Sequence, residues 1–116
     1  MKSRTRRAIA YIAGRIVSGL SETNIYDSSD SQYYSMDGSV QADNLSVYDY
    51  TEKCYISGSL PNLFHYGNEK ALTLNMTGDK FTGYDYDESS SFSGSVSGNS
   101  ISIYDGKTSP YFKYSF

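Results

Sequence analysis

Residues 44–60 read NLSVYDYTEKCYISGSL, and residues 100–116 read SISIYDGKTSPYFKYSF. Both run through an alternating apolar stretch to Tyr-Asp, break in a polar loop, and resume the alternation. The pattern recurs along most of the chain. Aligned on Tyr26, Tyr48, Tyr66, Tyr84 and Tyr104, five units cover residues 23–116, with steps of 22, 18, 18 and 20 residues. Asp follows four of these tyrosines (Asp27, Asp49, Asp85, Asp105), and Gly67 follows the fifth. The polar loops SSDSQ, YTEK, GNEK, DESS and GKTS divide each unit into two strands. Asp at the head of such a loop bonds the backbone two residues on, an Asx-turn, which accounts for its recurrence without a metal ion. Between units, Ala42-Asp43, Pro61-Asn62, Gly78-Asp79 and Gly98-Asn99 read as two-residue turns; glycine supplies the positive φ that tight hairpins require.

Each unit is therefore a β-hairpin, and the sum is ten antiparallel strands in up-and-down order. Period two assigns the faces. One face collects Ile25, Leu45, Val47, Leu63, Phe81, Ile101 and Ile103 from the first strands. Tyr34, Met36, Val40, Cys54, Ile56, Leu60, Leu72, Leu74, Met76, Phe92, Val96, Phe112 and Phe116 join them from the second strands, beside Gly38, Gly58, Gly83 and Gly94. The other face carries the repeated tyrosines among Ser, Thr and Asn. A meander of this length has two edges to protect, and closure removes both. The expected fold class is all-β, a ten-stranded antiparallel meander closed into a barrel or strongly curled sheet.

The first twenty residues follow a different period. Ile9, Ile12, Ile16 and Leu20, with Ala13, step by three and four, the stripe of an amphipathic helix. Ser3 or Thr5 is the expected N-cap, and Gly19 the expected terminator. Residues 1–22 form this basic helical segment and residues 23–116 the five-hairpin β domain, a single domain overall. Ten strands enclose more space than side chains fill, so the slim helix, rich in Ala8, Ala10, Ala13 and Gly14, packs on or inside the barrel. A targeting peptide is the competing reading; AIAYIAG is short for an apolar core, and Arg15 interrupts it.

Charge divides at the same boundary. Residues 1–22 hold five cations against Glu22 alone, and every arginine of the chain; the remainder holds five lysines against twelve acids. An acidic body argues against nucleic acid as partner, and no segment has the roughly 20 apolar residues of a membrane span. Cys54 is the sole cysteine and His65 the sole histidine. No G-x-S-x-G, phosphate loop or H-E-x-x-H is present, and no acid stands in an apolar setting that raises its pKa. Catalytic residues, metal and cofactor are accordingly expected to be none, and the protein not an enzyme.

Two classes of function remain. The first is a small binding module for a small molecule or glycan. Its site is a cavity lined by His65 or the Tyr/Ser face, where Tyr26, Tyr48, Tyr66, Tyr84 and Tyr104 offer ring faces and the hydroxyls hydrogen bonds. The second is a structural or protein-interaction domain with its interior filled by its own N-terminal helix.

Overall fold

The computed structural model describes residues 1–107 and 110–116. In chain order it contains α1 (Ser3–Ser18), β1 (Asn24–Asp27), β2 (Gln32–Gln41), β3 (Asn44–Asp49), β4 (Cys54–Ser59) and β5 (Asn62–His65). There follow β6 (Lys70–Thr77), β7 (Lys80–Asp85), β8 (Ser90–Ser97), β9 (Ser100–Asp105) and β10 (Tyr111–Ser115). Each strand pairs antiparallel with its sequence neighbours. β1 then closes on β10 through Tyr26 opposite Ser115 and Asp27 opposite Tyr114. The meander is a closed ten-stranded barrel. No helix among the described residues is long and apolar enough to cross a membrane.

Alternation sets the wall. In β3 and β9 the second, fourth and sixth residues are buried, so Leu45, Val47, Ile101 and Ile103 face inward together with Asp49 and Asp105. The inward glycines make room for rings. Gly83 lies opposite Phe92 and Gly94 opposite Phe81; a Cβ on either glycine would meet the facing phenylalanine ring at 2.3 Å.

α1 fills the barrel. Every residue from Thr5 to Gly14 is buried, so the helix is enclosed on all sides, and from Ala8 onward this stretch is free of charged side chains. Ile9 and Ile12 are both within 1 % of full burial, worth about 2 kcal/mol each, a large fraction of a domain's net stability. At Gly14 a Cβ would lie 2.8 Å from the Phe116 ring, and that ring meets Tyr11 edge-on at 6.0 Å. The expected stripe is thus too narrow at its centre and too long at its end. Ile16 is only half-buried, and Leu20 lies beyond the helix and is exposed, because Gly19 turns the chain at φ 72°. The cap also differs: Lys2 is the N-cap, with no side-chain bond. Thr5 Oγ1 instead accepts from Asn68 Nδ2 at 2.8 Å.

The turns carry two further corrections. Leu60 and Pro61, joined by a cis peptide, form the turn expected at Pro61-Asn62, and Asn62 begins β5. The second concerns hairpin three. Four loops end in a non-glycine residue with positive φ: Ser31 (56°), Lys53 (56°), Glu69 (54°) and Ser89 (51°). Each lies four residues beyond a strand end, at Asp27, Asp49, His65 and Asp85 respectively. His65 therefore stands where the other hairpins have Asp, Phe64 where they have the repeated tyrosine, and Tyr66 is the counterpart of Tyr50 and Tyr86. β5 has four residues where β3, β7 and β9 have six. Aligning on tyrosine hid this shortening, since Tyr66 follows the strand end instead of preceding it. The predicted fifth loop, GKTS, lies partly outside the described residues.

Candidate functional site

Two surfaces concentrate chemistry: the acidic end of the barrel and the tyrosine-bearing outer wall. At the acidic end the predicted Asx-turns form. Oδ1 of Asp27, Asp49, Asp85 and Asp105 accepts, at 3.0 Å, the N–H of Ser29, Thr51, Asp87 and Lys107 respectively. His65 Nδ1 does the same work, accepting from the Asn68 N–H at 3.2 Å.

The second carboxylate oxygens point inward, toward the basic start of α1. Asp105 Oδ2 lies 2.7 Å from the Met1 ammonium and 3.4 Å from Arg6 Nη1. Asp27 Oδ2 lies 3.7 Å from Arg7 Nη1. Arg4 bonds Glu52 at 3.1 Å, and Lys2 Nζ sits 3.1 Å from Asp87 Oδ2 without hydrogen-bond geometry. Arg6 and Arg7 also lie over the rings of Phe112 and Tyr34, at 3.7 and 3.8 Å. The charge division seen in the sequence is thus neutralised within the molecule, basic plug against acidic rim.

Two acids have no such partner. Oδ2 of Asp49 and of Asp85 is buried without a hydrogen bond among the described residues, and burial pushes both carboxyl pKa values up, against the pull of their backbone N–H donors. This overturns the expectation that no acid stands in a pKa-raising setting. Both groups are closed off from solvent, Asp49 at 0 % and Asp85 at 1 % exposure. Inward alternation past the end of the apolar run placed them there. His65 is likewise fully buried. With Nδ1 accepting, the ring proton is on Nε2, which has no partner among the described residues. Burial, aided by the Arg4 charge, lowers its pKa to about 4 and keeps the ring neutral. Burial raises the Cys54 thiol, so the pair holds no thiolate and imidazolium at neutral pH. Among the described residues no group of three or more His, Cys, Asp or Glu is placed to hold a metal ion.

On the outer wall the repeated aromatics pack edge-on or tilted against one another. Tyr26 pairs across its hairpin with Tyr33 at 4.9 Å between ring centres, Tyr48 with Tyr55 at 4.8 Å, and Tyr104 with Tyr111 at 5.1 Å. Along the strand, Tyr48 meets Tyr50 at 5.0 Å, Phe64 meets Tyr66 at 4.8 Å, and Tyr84 meets Tyr86 at 4.8 Å. The residues opposite Phe64 and Tyr84 are small, Ala71 and Ser91.

Where Ser91 stands, a groove of about 520 Å³ opens across β6–β9. Tyr84 and Tyr104 border it, and Thr73, Asn75, Thr82, Ser91 and Ser93 line it over Gly83 and Phe92. No charged side chain lines it. A second groove of about 380 Å³, on β2–β4, includes Tyr48, Tyr50, Tyr55 and Asp37. Of the six residues predicted as binding, Tyr84 and Tyr104 share one groove and Tyr48 borders the other. Tyr26 and Tyr66 stand on the outer wall away from both, and His65 is inside the barrel. Ser91 and Thr82 were not among the expected site residues. The sequence does carry their signal: Tyr33, Tyr55, Ser91 and Tyr111 all follow a repeated tyrosine by seven residues, and only one is small.

Compared with known proteins, the chain matches no family model, no curated protein and no solved structure.

Proposed function

We propose that the protein is a non-catalytic binding module that takes a neutral saccharide on its outer wall, in the groove between Tyr84 and Tyr104. One observation carries this reading: two tyrosine rings border a trough whose other polar groups are uncharged hydroxyls and one amide. Its volume of about 520 Å³ falls within the 300–1,000 Å³ or so typical of small-ligand sites. A pyranose presents C–H groups to a ring face and hydroxyls to Thr, Ser and Asn. The interior site weighed from the sequence loses its room, since α1 occupies it.

A glycan array followed by calorimetry tests the proposal. The expected result is retention of neutral glycans, with Tyr84→Ala weakening binding at least tenfold, about 1.4 kcal/mol. Retention of acidic glycans alone, or equal binding by Tyr84→Ala, overturns it.

The second reading, a protein-interaction domain, draws on the exposed rings of Tyr33, Tyr50, Tyr55, Tyr66, Tyr86 and Tyr111, since interfaces are enriched in tyrosine. A chain that binds no glycan but is captured by a protein through these residues supports it.

A further inference from the structure

The outer groove occurs twice in the repeat, and in the smaller copy a tyrosine stands where the larger has serine. Tyr84 lies opposite Thr73 on one side and Ser91 on the other. Tyr48 lies in the same register between Asp37 and Tyr55. The copy at Tyr48 measures about 380 Å³ against about 520 Å³ for the one at Tyr84. The decisive difference is the residue across the hairpin. Tyr55 sets its ring edge-on 4.8 Å from Tyr48, whereas at Ser91 no ring among the described residues takes that place beside Tyr84.

Tyr86 does not fill that place. It is the counterpart of Tyr50, and Tyr48 contacts Tyr50 and Tyr55 together. In hairpins one and five, Tyr33 and Tyr111 cover Tyr26 and Tyr104 as Tyr55 covers Tyr48. Hairpin three offers Phe64 against Ala71, without the hydroxyls of Tyr84 and Ser91. Three of five hairpins therefore place a second ring against the repeated tyrosine, and one has serine at that position.

We propose that Tyr55 marks the place of the ligand: a six-membered ring packs against Tyr84 in the space Ser91 leaves open, edge-on or tilted as Tyr55 is against Tyr48, while Tyr33, Tyr55 and Tyr111 take that place in the other hairpins. Valency is then set by the residue opposite each repeated tyrosine. The inference rests on the binding reading above for the saccharide nature of the ring, and on the repeat for its location. Tyr55 already coexists with Tyr66 on the neighbouring loop, so a tyrosine at position 91, beside the smaller Gly106, has a precedent in the fold.

The test is a titration followed through the ring resonances of Tyr48 and Tyr84, with p-cresol and, separately, cellotetraose. Wild type, Ser91→Tyr and Tyr55→Ser are compared, each with its backbone amide spectrum as a check of fold. In wild type, p-cresol is expected to move Tyr84 and leave Tyr48 still. Ser91→Tyr is expected to weaken the Tyr84 response at least tenfold, and Tyr55→Ser to create a response at Tyr48. A silent Tyr84 with p-cresol, or an unchanged Tyr84 response in Ser91→Tyr, overturns the inference. So does a silent Tyr48 in Tyr55→Ser. If p-cresol behaves as expected and cellotetraose does not bind, the saccharide reading is what fails. If cellotetraose binds at Tyr84 regardless of Ser91→Tyr, the saccharide reading stands and the vacancy does not.

Discussion

The Met1 ammonium and Asp105 Oδ2 meet at 2.7 Å with neither side exposed to solvent. The pair ties the residue before α1 to the end of β9 and seats the start of α1 in the barrel mouth. Arg6 shares the same carboxylate at 3.4 Å. Burial raises the Asp105 pKa, but the Met1 hydrogen bond, the Lys107 N–H and the two cations outweigh it, and the net shift is downward.

Asp105→Asn strips two buried cations of their counter-charge and is expected to cost about 3–5 kcal/mol. Asp85→Asn, at the same place in the neighbouring hairpin, is expected to be neutral or stabilising at pH 7, because burial disfavours the charged form of its carboxyl. The pH signs oppose each other as well. The depressed Asp105 contributes stability above its unfolded value, lost as pH falls through its folded pKa. The raised Asp85 opposes folding above its folded pKa and is relieved as pH falls. Urea unfolding of both variants at pH 7 and pH 4 checks this; equal losses at pH 7 would contradict the distinct roles.

His65 predicts a separate acid sensitivity. Its pKa falls from 6.5 to about 4 on folding, so the unfolded chain binds the proton first as pH drops. Stability is intact above pH 6.5 and declines toward pH 4, by about 3 kcal/mol in all at 1.36 kcal/mol per unit. His65→Asn preserves an acceptor for the Asn68 N–H and is expected to flatten the decline between pH 6.5 and 4. An unchanged slope in that window would sink the assignment.

Lys53 closes its loop at φ 56°, a left-handed conformation that costs a side-chain-bearing residue about 1–2 kcal/mol. Lys53→Gly removes that cost and adds unfolded-state entropy worth about 0.5–1 kcal/mol, so a net gain of about 0.5 kcal/mol is expected. Thermal melts measure it, and a lower melting temperature would refute it.

The fold was largely legible because its signals are local. Alternation in NLSVYD and SISIYD reports which face a residue takes from its immediate neighbours. Asp heading a turn bonds a group two residues away, and Gly78 and Gly98 turn the chain at φ 63° and 61°. The phase of hairpin three was not legible, because the residue that marks it, Glu69, is in the left-handed region without being Gly or Asn.

The site divides along the same line. Its rings and hydroxyls were readable as an alternating polar face, and the Tyr-to-Ser change at position 91 is written in the repeat. The fate of the charges and of the interior was set by contacts between distant residues. Met1 meets Asp105 across 104 positions, and the all-round burial of α1 exists only once ten strands surround it. No short window of sequence carries the energy of such contacts, so only the closed barrel shows that its interior is filled by its own N-terminal helix.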